Sequence, residues 1–70
     1  MTSALSELTC LQLHRPAASA APAAWAVWFD ELVHVHEHLA AEARDPHVVA
    51  TERRLARTAH RRASLLRKES

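Results

Sequence analysis

None of the chain's 70 residues is glycine. That absence constrains the fold more than any motif the sequence contains. Tight type I′ and II′ hairpin turns and phosphate-cradling loops depend on glycine at positions of positive φ or close backbone approach. Walker and Rossmann fingerprints are therefore excluded, and with them nucleotide binding of those kinds. Alanine is abundant and the three prolines fall at 16, 22 and 46, between stretches of helical periodicity. The fold class expected is all-α.

Seventy residues make one domain, close to the size below which a core needs help from a disulfide, a metal or a partner. The single cysteine, Cys10, cannot form an internal disulfide, and without a CxxC pair there is no cysteine-based zinc site. A lone thiol suits a reducing compartment. The first fourteen residues have neither a basic start nor an apolar run long enough for a signal peptide. No window approaches ~18 consecutive apolar residues. A cytoplasmic chain that does not cross a membrane is expected.

Three segments separate. Residues 1–14 carry Leu5, Leu8 and Leu11 near one face and read as a short helix, marginal unless it docks. Residues 15–24, RPAASAAPAA, read as an alanine- and proline-rich linker. Residues 25–70 read as a helical hairpin, with helices over about 22–43 and 46–67. Pro22 suits a first turn, and Ser19 is a candidate cap just before it. At about 100° per residue, Trp25, Trp28, Phe29, Leu32, Val35, Leu39, Ala40 and Ala43 share a face. Asp45 followed by Pro46 starts the next helix. There Val48, Leu55, Ala56, Ala59, Ala63 and Leu66 share a face. A turn this short makes the two long helices antiparallel, and two copies could pair into a four-helix bundle.

Charge is segregated along the chain, although the net charge is only +1. Asp30, Glu31, Glu37, Glu42 and Asp45 face a single base, Arg44, in the second helix and the turn. From Arg53 to Lys68 there are seven bases and no acid. The two helices should attract modestly along their flanks.

HVHEH, residues 34–38, holds three of the six histidines. A helix divides the triplet, because positions 34 and 38 share a face and position 36 points the other way. Glu31, His34, His38 and Glu42 form one stripe with Glu-x-x-His and His-x-x-x-His spacings, a candidate site for zinc, copper or nickel. No second Glu-x-x-His and no HExxH is present. Ordinary contacts between acids and imidazoles on a solvated face are the competing reading. His36 lies in the apolar arc, expected near Glu52 or Leu55. A partly buried His36–Glu52 contact is predicted to fix the hairpin register and to make the pairing sensitive to pH. Against it stands a Glu52 that remains in water near a helix N-terminus.

Two surfaces remain. Trp25, Trp28, Phe29 and Leu32 are a candidate partner-binding set, since large aromatics anchor interfaces. Alternatively the N-terminal helix covers them. Arg53, Arg54, Arg57 and Arg61 can meet phosphates, or form a solvated face with internal salt bridges. No groove-reading motif and no stacking aromatic accompanies them. The leading expectation is a small non-enzymatic interaction or regulatory module that binds a protein or a second copy of itself. A nucleic-acid-associated protein comes next and a metal-binding module third. No catalytic residue, cofactor, membrane contact or small-molecule substrate is expected.

Overall fold

The computed structural model describes residues 3–69; residues 1, 2 and 70 of the expected segments lie outside them. The described residues form three helices, α1 (Ala4–Leu13), α2 (Pro22–Glu42) and α3 (Pro46–Glu69). None is long and apolar enough to cross a membrane.

The boundaries follow from local chemistry. Ser3 Oγ accepts the Ser6 amide at 3.1 Å and so starts α1. His14 ends it, and Arg15–Pro16 cannot continue it. Pro22 occupies the first turn of α2, where its missing N–H is harmless. Ser19 is not the cap: Ala21 holds that position and makes no side-chain cap bond. After α2, Ala43 is extended. Asp45 Oδ1 then accepts the His47 amide at 2.8 Å, which with Pro46 launches α3.

α2 and α3 pack along each other in opposite chain directions, with Asp30 meeting Arg67 and His36 meeting Glu52. Their seam is small-sided. Ala56, Ala59 and Ala63 of α3 are buried, as are Ala26 and Ala40 of α2. Methyl groups allow close approach but remove little apolar area from water. Val48 and Leu55, expected on this face, lie off it and stay 44% and 41% exposed. The bulkier core is elsewhere. Leu11, Trp28 and Val35 are buried together, with Leu8, Trp25, Phe29, Leu32 and Leu39 packed against them.

α1 packs on α2 and makes no close backbone approach to α3. The three helices therefore form a single layer with α2 in the middle, in a molecule measuring 38 × 22 × 16 Å.

Candidate functional site

The polar stripe of α2 is where α1 docks. Glu42 Oε1 accepts the Ala4 amide at 3.1 Å, one of the donors left unpaired at a helix start. At the other end of α1, Trp28 Nε1 donates to the Leu11 carbonyl at 3.0 Å. α2 thus caps α1 at both ends. Between them His38 Nδ1 donates to Glu7 Oε1 at 2.8 Å, and His38 Nε2 lies 3.1 Å from Glu42 Oε1. An imidazole with a carboxylate at each nitrogen favours its doubly protonated form. The hydrogen bond that His38 donates to Glu7 raises the His38 pKa; desolvation opposes it, and the charges of Glu7 and Glu42 add to the rise.

This arrangement divides the candidate metal set. His38 and Glu42 hold α1, and both ring nitrogens of His38 are engaged. Glu31 and His34 are exposed and line an open groove with Ser6, Glu7, Cys10 and His14 of α1. In that groove the His14 ring donates to the Cys10 carbonyl at 2.8 Å. Among the described residues no group of three His, Cys, Asp or Glu side chains could hold a metal ion. Glu7 and the Ala4 amide, the partners that matter here, carried no signal in spacing because they lie on another helix.

The aromatic end is largely interior. Trp28 is 7% exposed, while Trp25, Phe29 and Leu32 are half-buried. Trp25 and Trp28 meet edge to face at 5.7 Å, and Trp28 and Phe29 do so at 5.2 Å. The linker completes the enclosure. Trp25 Nε1 donates to the Ala17 carbonyl at 3.1 Å, and the Arg15 guanidinium sits 5.3 Å from the Trp25 ring and 5.6 Å from the Trp28 ring. Arg62 approaches Phe29 at 5.8 Å from α3. Of the candidate partner set, half-exposed edges of Trp25, Phe29 and Leu32 remain at the surface.

The two sides of the layer differ. Advancing about 100° per residue from the buried contacts, one side gathers Leu5 and Leu8 of α1, Leu32 and Leu39 of α2, and Val48 and Leu55 of α3. Leu5 is 67% exposed, and Leu8, Leu32 and Leu39 are half-buried. The other side carries the charge. There Arg53, Arg57 and Arg61 line a groove of about 780 Å³ with His60 and Ser64 of α3 and Glu37 of α2, floored by Val33 and Ala56. Arg54 lies beyond, sharing a smaller hollow with Arg57, His47 and Thr51.

Internal salt bridges do not absorb these arginines. Arg53, Arg54, Arg57 and Arg61 are exposed and take part in none of the ion pairs or ring contacts among the described residues. Arg67 behaves differently. It forms a two-pronged contact with Asp30, and this hydrogen bonding holds the Asp30 carboxyl below its ordinary pKa and raises that of Arg67. Ser64, Val33 and Glu37 were not singled out as groove residues from sequence. The i,i+4 stripe of arginines was legible, but which flank of α2 would close against it was not.

No protein-family model, curated protein or solved structure matches the chain.

Proposed function

We propose that this chain is a small non-enzymatic protein-interaction module whose apolar face pairs with a second copy of itself. The observation that carries the reading is the face formed by Leu5, Leu8, Leu32, Leu39, Val48 and Leu55, with the half-exposed edges of Trp25 and Phe29 at one end. Opposite-running α2 and α3 from two copies, laid face to face, make a four-helix arrangement flanked by the two α1 helices.

Surface area supports a second copy as the occupant. The chain exposes 5138 Å², whereas a folded monomer of 7.8 kDa exposes about 4,400 Å². The surplus, roughly 700 Å², is close to the ~800 Å² that each partner contributes to a standard interface. Cys10 is a free, exposed thiol, which fits a reducing, cytoplasmic setting.

Self-association makes stability depend on protein concentration. The melting temperature followed by circular dichroism should rise across a hundredfold concentration series. Leu55→Glu, which places a charge on the apolar face, should abolish that dependence. Leu65→Glu, on the outer side of α3, should leave it intact. A melting temperature independent of concentration, or equal behaviour of the two variants, defeats the proposal.

A further inference from the structure

We propose that the groove between α2 and α3 on the charged side binds the phosphate backbone of single-stranded nucleic acid. Arg53, Arg57 and Arg61 are the phosphate contacts. This site lies on the opposite side of the layer from the self-association face, so neither proposal depends on the other.

Three other arginines have partners within the chain: Arg67 takes Asp30, Arg15 takes the tryptophans and Arg62 takes Phe29. Arg53, Arg57 and Arg61 stand side by side on one groove wall with no such partner among the described residues. Crowding three like charges along a helix is unfavourable by itself, and an anion laid across them relieves it.

The shape of the groove also suits a single strand. Residues four apart on a helix rise by ~6 Å, so the three guanidiniums form a row of ~12 Å along the groove. Their fork geometry suits phosphate oxygens. Val33 and Ala56 give an unstacked base an apolar floor, His60 offers a flat ring for stacking, and Ser64 offers a hydroxyl. A duplex fits less well. A recognition helix enters the ~12 Å-wide major groove unaccompanied, whereas α2 runs beside the arginine wall of α3. Glu37, the single acid of the groove, opposes an anion.

The test is fluorescence anisotropy of the full chain with a labelled dT oligonucleotide across a salt series. A duplex of equal length and vesicles containing phosphatidylserine are run beside it. Three phosphate contacts predict a slope of log K against log salt of about −2 for a single strand. Arg53→Gln, Arg57→Gln and Arg61→Gln together should weaken binding roughly tenfold or more at low salt with an unchanged helical spectrum. Glu37→Gln should tighten it. The proposal is overturned if the triple variant binds as the wild type does, if the slope is near zero, or if the duplex or the vesicles are preferred.

Discussion

Two histidines, two residues apart, act on different neighbours. His36 meets Glu52 at 2.6 Å across the α2–α3 seam with both side chains mostly buried, at 12% and 19% exposure. That contact was legible in the sequence, because a turn at Asp45 and an inward-facing position 36 leave few candidates opposite it. Removing one member of a buried polar pair strands the other at a cost of about 1–3 kcal/mol. Replacing both with apolar residues is nearly neutral. Chemical denaturation should therefore find His36→Leu less stable than the double variant His36→Leu/Glu52→Leu. A double variant as unstable as the single one would mean that the pair contributes more than mutual satisfaction. His38 acts on α1 instead. Its folded pKa is raised, so its contribution is fully present below the ordinary value of 6.5 and is lost as pH rises through the folded value. Amide exchange in α1, measured relative to that in α3, should accelerate over this range. His38→Gln should remove the pH dependence, and a profile unchanged by that substitution would contradict the assignment.

At the scale of elements, boundaries were easier to read than partners. Pro22, Asp45 and Pro46 act through backbone geometry that needs no tertiary context, so α2 and α3 begin where sequence places them. Ser19 was misread because Ala21, one residue before the proline, takes the cap position without any side-chain bond. The docking of α1 was not legible. Its leucines indicate a buried face but not which surface covers it, and the stripe of α2 that receives it carries ionisable residues. Only in three dimensions do Glu42 and Trp28 become caps for a helix remote in sequence. A ten-residue helix is marginal in isolation, so α1 depends on these contacts. Trp28→Ala should cost about 3–5 kcal/mol, against a total stability of roughly 4–10 kcal/mol for a chain of this size. Trp28→Phe keeps a six-membered ring but loses the pyrrole part of the indole and its bond to the Leu11 carbonyl, and should cost less, about 1–2 kcal/mol. Thermal melts order the three as wild type, Trp28→Phe, Trp28→Ala. Equal losses for the two variants would show that the six-membered ring retained by phenylalanine contributes nothing to holding α1.

The whole molecule is a one-layer arrangement with two unlike faces. Helices that bury a stripe normally close into two layers around one core. Here α1 and α3 both use α2, and the apolar side between them stays open. Composition signalled a small core, and charge segregation anticipated a basic and an acidic helix. The rotation of α3 that leaves Val48 and Leu55 outside was not legible, because alanines and leucines compete for one seam and the smaller residues allow closer backbones. An open apolar face and a surface larger than a monomer of this mass requires are one problem, which the proposed pairing with a second copy would solve. Sedimentation equilibrium over a dilution series tests this most directly. The mass should approach twice 7.8 kDa at high concentration and fall to that of the monomer on dilution. Leu55→Glu should remain monomeric throughout with its helical content retained. A wild-type chain that sediments as a monomer at every concentration would contradict it.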